Sequence, residues 1–452
     1  MKNITRFLCT LVSTILLFSF ATAETITTYG GKLVYDLGYQ DFQAEHPDVS
    51  CVQAEYVYST PSQLTSALLT REFDCDMYLW STASADWPSL MEKGFCADLS
   101  DSKVLMEQIS RMHPQIVKQA MQDGRLYAWP KRIGFIYLQI AEDVWTKAGF
   151  TLADVPQSFP EFLDFLERWC DRIEEEPEAN IRVLTGWDAS SYTAAVYPAW
   201  LARLLLDQAI MQQQYAEESL HFDTPELLAL LERCDAVGRR LYQLETRKET
   251  YALFEHSLQS AWPEQPGTML SLRLNDAQPK LIESYLNMWA IYPGSERMAL
   301  CTELLEKVAA APCDRVQPSY LYLYQDSQPL YIDTYEADLA EYTGRLSDVQ
   351  AKLAQEDLTG DARVELEDEE AQYLERLDFI EEHKWLVKPE QLVDYQASAD
   401  GLFFPGPNVL THGKGAGTLE NLCNQFGSRA ISAQQLLQEL DRMTRMLELE
   451  GE

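Results

Sequence analysis

The chain has 452 residues, with 71 acidic against 36 basic side chains and a formal net charge of −35. Such a balance repels nucleic-acid phosphates and anionic membrane surfaces, so no nucleic-acid partner is expected. The length suits two or three domains, and the charge reads first as solubility in an extracytoplasmic fluid and second as steering of a cationic ligand.

At the start, Lys2 and Arg6 precede an apolar run from Phe7 to Phe20, and Ala21-Thr22-Ala23 makes a small-residue cleavage site. This is the anatomy of a secretory signal peptide over residues 1–23. The run falls short of the ~20 apolar residues that a membrane anchor needs. No cysteine follows the site, and Cys9 lacks small residues before it, so no lipid-modified terminus is expected. The protein is expected to be secreted or periplasmic, a compartment that permits disulfides. No C-x-x-C occurs among the nine cysteines. Cys170 and Cys234 sit among apolar residues and suit buried free thiols, while Cys301 and Cys313 are close enough in sequence for a local pairing.

Alternation near Thr25 to Tyr39 predicts opening strands. A helix then carries Leu64, Leu68 and Leu69 on one face, and Cys75 to Leu79 reads as a short buried strand. Trp80 to Ala85 reads as a loop, and Trp87 to Lys93 as a helix ending at Gly94. Alternation of strands and helices indicates an α/β sheet. Asp123-Gly124 is a turn signal. Beyond it the chain runs apolar on both sides of Pro130, which has no N–H for a central ladder. The expectation is therefore a strand that leaves one sheet at Pro130 and enters another.

In "VPQSFPEFLDFLERW", Ser158 and Glu161 form a capping box ahead of a buried stripe of Phe162, Phe165, Leu166 and Trp169. "RVLTGW" is a strand running into the loop "DASSYT". Ala194 to Gln214 is an apolar helix, and Thr224 caps another. A further helix is capped by Ser295. From Asp333, the residues Tyr335, Leu339, Tyr342, Leu346, Val349 and Leu353 follow heptad spacing. After Thr359-Gly360-Asp361, Val364, Leu366, Tyr373, Leu377 and Ile380 resume a helical stripe. Residues 333–385 thus read as two antiparallel helices with an acidic outer face. They form either an intramolecular insertion or a docking surface. A last helix follows the Ser432-x-x-Gln435 box.

Motifs for chemistry mostly fail. The six histidines lack ligand spacing and read as surface or capping residues. No nucleophile elbow appears. "GKGAGT", Gly413 to Thr418, lacks Walker spacing and reads as a flexible helix start with Thr418 as cap. Asp74 and Asp76 share one face of a strand; the plainer reading is that one caps the strand end and the other is solvated. No catalytic residue, metal or cofactor is assigned. The chain is instead rich in aromatics, with 10 Trp, 23 Tyr and 17 Phe. Ligands of open α/β sheets bind beyond the carboxyl ends of strands, where aromatic faces stack on sugars or cations.

Several segments, in order, resemble the extracellular solute-binding proteins of ABC transporters, the family that includes sugar-binding members. "DFQAEHPDV" resembles the family's Phe-x-x-x-x-Pro step, and "QLTSALLTREFDCDMYLWS" its helix and Asp-hydrophobic strand. "EKGFCADLSD" resembles the step that follows, and "DGRLYAWP" the crossing between lobes. "EDVWTKAGF" with "VPQSFPEFLDFL", "WAIYPGSERMALCTELLEKV" and the C-terminal "GSRAISAQQLLQELDRMTRMLELE" complete the series. The resemblance covers most of 24–310 and the last thirty residues. It departs from the family in the missing lipidated cysteine and in the added helices at 333–385.

The resemblance implies a two-lobed α/β fold. Lobe 1 would hold 24–128 and about 265–330, and lobe 2 would hold 129–264 and 331–452, with the helical hairpin inside lobe 2. A small-molecule solute would be held between the lobes, which close by a hinge motion, and passed to a membrane permease of an ABC transporter. A monomer is expected. Carried over by position, Trp80, Ser81, Asp86, Trp129, Pro130, Lys131, Trp187, Tyr192 and Trp262 would face the ligand. The first functional expectation is a carbohydrate bound without chemistry. The alternatives are a polyamine or other cation held by Asp86 or Asp188, a secreted glycan-active enzyme, and an interaction protein working through the hairpin.

Overall fold

The computed structural model describes residues 24–33, 38–54, 61–70, 72–83, 87–176, 182–184, 193–244, 252–259, 262–263, 266–311, 318–355, 359–406, 410, 415 and 417–451. In chain order these form β1 (Glu24–Tyr29), α1 (Tyr39–Glu45), β2 (Val49–Gln53), α2 (Pro61–Thr70), β3 (Met77–Ser81), α3 (Trp87–Glu92), α4 (Lys103–Ile109) and α5 (Pro114–Ala120). The hairpin strands β4 (Met121–Gln122) and β5 (Arg125–Leu126), and the long β6 (Trp129–Ile140), come next. They are followed by α6 (Glu142–Lys147), α7 (Phe159–Glu175), β7 (Arg182–Leu184), α8 (Val196–Tyr215), α9 (Pro225–Leu244), β8 (Ala252–Gln259), β9 (Ile282–Ile291) and α10 (Met298–Ala310). The remainder comprises α11 (Pro318–Leu321), β10 (Leu330–Tyr331), α12 (Tyr335–Leu353), α13 (Gly360–Glu382), β11 (Trp385–Val387), α14 (Pro389–Ser398), β12 (Leu402–Phe403), α15 (Thr418–Gly427) and α16 (Ala433–Gly451). The chain divides into two compact units, Met1–Lys131 with Leu286–Pro312, and Arg132–Tyr285 with Cys313–Glu452.

In the first unit, β1 lies between β2 and β3 in parallel, and β3 pairs antiparallel with the second half of β9. Ile26, Met77, Tyr78, Leu286 and Met288 fill its core. Asp76 is buried at the foot of β3. Its carboxylate accepts from the Thr27 backbone N–H at 2.8 Å, the Thr27 hydroxyl at 3.0 Å and the Ser295 hydroxyl at 2.7 Å. Asp74 is exposed. The Asp74/Asp76 pair therefore splits into a capping residue and a solvated one. Asp123 and Gly124 take φ of 51 and 76°, the left-handed pair that a two-residue loop between β4 and β5 requires.

In the second unit, β6 pairs antiparallel with β8, β8 pairs parallel with β7, and β12 pairs parallel with the first residues of β9. The apolar stripe of α7 packs Phe162, Phe165, Leu166 and Trp169 into a core shared with α8, α9, α15 and α16. The caps form as local rules dictate. Ser158 accepts from Glu161 N–H at 3.3 Å, and Thr224 from Leu227 N–H at 3.2 Å. Ser432 and Gln435 exchange both bonds of a capping box, at 2.8 and 3.2 Å. The helices α12 and α13 run antiparallel, with Tyr335 meeting Glu381, Tyr342 meeting Tyr373 and Gln350 meeting Glu370.

Five expectations are corrected. β6 is one continuous strand of 12 residues, because Pro130 stands at its second position, where a missing N–H is tolerated. The chain passes from one unit to the other at Lys131–Arg132, inside that strand. Trp80 and Ser81 belong to β3 rather than a loop. Ser295 does not cap α10, whose N-cap is Arg297; its hydroxyl serves Asp76 instead. Thr418 is the first residue of α15, capped by Gly417 at φ 79°. Cys301 is a free, fully buried thiol, so its local pairing with Cys313 is not formed. Cys170 and Cys234 are buried, as their apolar surroundings predict.

Candidate functional site

A cavity of ≈ 640 Å³ lies within the second unit, walled by β6, β8, the start of β9, α8, α14 and the segment 267–272. Its volume falls in the range that holds small-molecule ligands. On α8, Leu204, Asp207, Gln208 and Met211 line it. Their spacing of three, four and seven residues places them on one helical face. One turn earlier on that helix, Arg203 binds Asp207 at 2.7 Å. At the start of β9, Leu281, Ile282 and Glu283 all line the cavity.

Trp262 follows β8 and closes one wall. Its indole N–H donates to Asp394 Oδ2 at 2.8 Å, and its carbonyl accepts from the Gln391 amide. Phe135 and Tyr395 pack edge-on to the indole, with centroids at 5.1 and 5.2 Å. The loop after β8 is thereby fastened to α14 at both ends of one residue, and the indole is a fixed wall only 2% exposed.

The electrostatics are set by burial. The Glu283 carboxyl is pushed up to about 7 by burial and then by the Asp207 charge, against the pull of Arg203. Burial also raises Asp207, with Arg203 opposing. The surface that Asp207 still exposes is cavity surface, which explains how a side chain 36% accessible behaves as a desolvated one. His256, on β8, is exposed, and the part of its ring turned to the cavity is lowered by desolvation. Among the described residues no hydrogen bond and no ion pair reaches the Glu283 carboxyl. This set offers carboxylate acceptors, a neutral imidazole and an indole wall. Such groups bind hydroxyl-rich or cationic molecules.

The first unit holds other residues expected at a site. Trp80 pairs with Met288 and Ser81 with Asn287 across β3 and β9. Thr82 closes that end by exchanging bonds with the Leu286 backbone, at 2.9 Å through its N–H and 2.8 Å through its hydroxyl. Lys131 Nζ sits 5.4 Å from the Trp289 ring centroid. Trp80 and Trp129 are buried, at 4% and 0% exposure. Of the expected residues that the structure describes, Trp262 alone lines the cavity of the second unit. Asp86, Trp187 and Tyr192 lie outside the described residues, as does Asp188.

Sequence reasoning missed Asp207, Glu283, Asp394 and His256. Arg203 and Asp207 were a visible signal, being an i,i+4 ion pair set in an otherwise apolar helix. Glu283 carried a weaker one, a carboxylate within an apolar strand. Nothing in the sequence placed Asp394 beside Trp262.

No family model matches the chain, and no curated protein matches it in sequence. Solved structures do match in fold. A cyclic α-maltosyl-1,6-maltose binding protein from Arthrobacter globiformis aligns with a TM-score of 0.55 at 11% identity, over 94% of this chain and 98% of that one. An ABC transporter solute-binding protein from Thermotoga lettingae, bound with α-D-tagatose, aligns at 0.51 and 11% identity, over 94% and 100%. A family 1 extracellular solute-binding protein from Bifidobacterium longum subsp. infantis aligns at 0.50 and 12% identity, over 93% and 98%. The chain has the mixed α/β fold of the extracellular solute-binding proteins of ABC transporters. Among the described residues no helix is long and apolar enough to cross a membrane.

Proposed function

We propose that this protein is the extracytoplasmic binding component of an ABC importer, capturing a small carbohydrate and delivering it unaltered to a membrane permease. The observation that carries this reading is the ligand-sized cavity with an indole wall and three lining carboxylates, Asp207, Glu283 and Asp394, in a chain with the solute-binding fold. Two of the neighbouring structures support the ligand class, since their names record a cyclic maltosyl-maltose and tagatose. Trp262, expected to face a ligand, lines this cavity, and that supports the reading. Export would follow cleavage after Ala23. The test is a thermal-shift and calorimetric screen of sugars against polyamines and peptides. A sugar at a hundredfold over its Kd should stabilise the fold by ~2.7 kcal/mol. If polyamines or peptides shift the melting temperature and sugars do not, the carbohydrate reading fails.

A secreted glycan-active enzyme is the second reading. The feature in its favour is Glu283 beside Asp207, because glycoside hydrolysis uses two carboxyl groups placed in one cavity. Arg203 argues against it by engaging Asp207 directly at 2.7 Å. Prolonged incubation with oligosaccharides followed by chromatography separates the two readings: release of shorter sugars would establish the enzyme.

A further inference from the structure

The charge arrangement in the cavity deepens the carbohydrate reading, on which this inference rests. Its charged lining groups are Asp207, Glu283, Asp394 and Lys280, with His256 and Tyr137 as further titratable neighbours and Arg203 bonded to Asp207. Most of these groups already have partners. Asp394 accepts from the Trp262 indole, and Asp207 from Arg203. Lys280 donates to Gln157 at 2.7 Å, on the exposed side.

Glu283 is different. It projects from β9 into the cavity opposite the strand pairing with Phe403, and among the described residues no donor meets it. A partly buried carboxylate beside a second carboxylate is costly to ionise unless a donor compensates it. The cavity leaves room for that donor to arrive with a ligand. A neutral hydroxyl would serve a protonated Glu283. An ammonium would serve the ionised form better, because a charge-assisted bond is about twice as strong as a neutral one.

We propose that the preferred solute of this cavity is an amino sugar, whose ammonium group pairs with Glu283 while its ring lies against the Trp262 wall. Neutral sugars of the same shape would fit the walls and leave Glu283 without its charge partner. Because Glu283 is pushed up to about 7 in the ligand-free protein, capture of an ammonium near pH 6.5 would ionise it and release a proton.

The experiment compares matched pairs on the full chain by isothermal titration calorimetry: glucosamine against glucose, and the β-1,4 glucosamine disaccharide against cellobiose. Each pair differs only in amino for hydroxyl groups. The expected result is at least tenfold tighter binding of an amine member. At pH 6.5 its binding heat should vary with the ionisation enthalpy of the buffer, reporting proton release. Glu283→Gln should erase the preference while leaving the melting temperature of the free protein unchanged or higher, which shows that the variant folds. Equal binding within both pairs, no response to either amine, or a preference that survives in E283Q would overturn the inference. Binding of the neutral members alone would leave the carbohydrate reading standing and sink only the amino-sugar assignment. Silence from every sugar in the wider screen would sink both.

Discussion

Trp262 gives its indole N–H to the Asp394 carboxylate at 2.8 Å, joining residues 132 positions apart and fixing one wall of the cavity. Trp262→Phe keeps a ring against Phe135 and Tyr395 but leaves Asp394 without that donor. The expected cost is about 1–2 kcal/mol, the usual penalty for orphaning a partly buried acceptor. Urea unfolding with an unchanged slope would measure it. Sugar affinity should fall severalfold in the same variant, because the wall and its anchor loosen together.

Glu283 makes stability depend on pH in a defined direction. Its ordinary value is 4.5, and the folded protein holds it at about 7. Between those values the folded state binds more of this proton than the unfolded state does. The contribution of Glu283 is therefore most favourable below pH 4.5 and is lost as pH rises through 7. Glu283→Gln should match the wild type near pH 4 and exceed it above pH 8, by on the order of 2–3 kcal/mol at most. Denaturant midpoints for both proteins across pH 4–9 would show it. A constant difference across that range would mean that the carboxyl is not held up by the fold.

Asp76, at the foot of β3, ties β1 to the turn before α10. It is 4% exposed and accepts from Thr27 and Ser295 at 2.7 to 3.0 Å. Asp76→Ala leaves the Thr27 N–H buried without an acceptor. A loss of about 3 kcal/mol is expected from the stranded donors. Thermal unfolding monitored by circular dichroism reads it, and sugar binding at low temperature should survive.

The helices α12 and α13 pack chiefly on each other, and each fully buries a single residue, Val349 and Ile380. Their ends meet, since Tyr335 donates to Glu381 at 2.7 Å. Replacing residues 336–382 by a short Gly-Ser linker should therefore cost about 1 kcal/mol or less, ~2–4 °C in melting temperature. Calorimetric titration should show sugar affinity intact. Loss of binding on excision would assign the hairpin a part in the site.

The hairpin also shows how far local pattern reaches. Tyr335, Leu339, Tyr342, Leu346, Val349 and Leu353 are all buried or half-buried on α12, as heptad spacing requires. Leu366, Tyr373, Leu377 and Ile380 are likewise on α13. Val364, read into that stripe, is 56% exposed because it stands off the seam near the helix start. Caps at Ser158, Thr224 and Ser432 were equally legible, since a cap is made by residues three positions apart.

What the sequence determined by itself was therefore whatever depends on neighbours along the chain: helix stripes, caps, the Asp123-Gly124 turn and the alternation that makes an α/β fold. Tertiary structure alone decided the cavity. Asp207, His256, Glu283 and Asp394 come from four separate elements, and their meeting depends on strand order and helix packing. The behaviour of Glu283 is further removed still, because desolvation belongs to the folded surroundings and has no imprint in the spacing of residues.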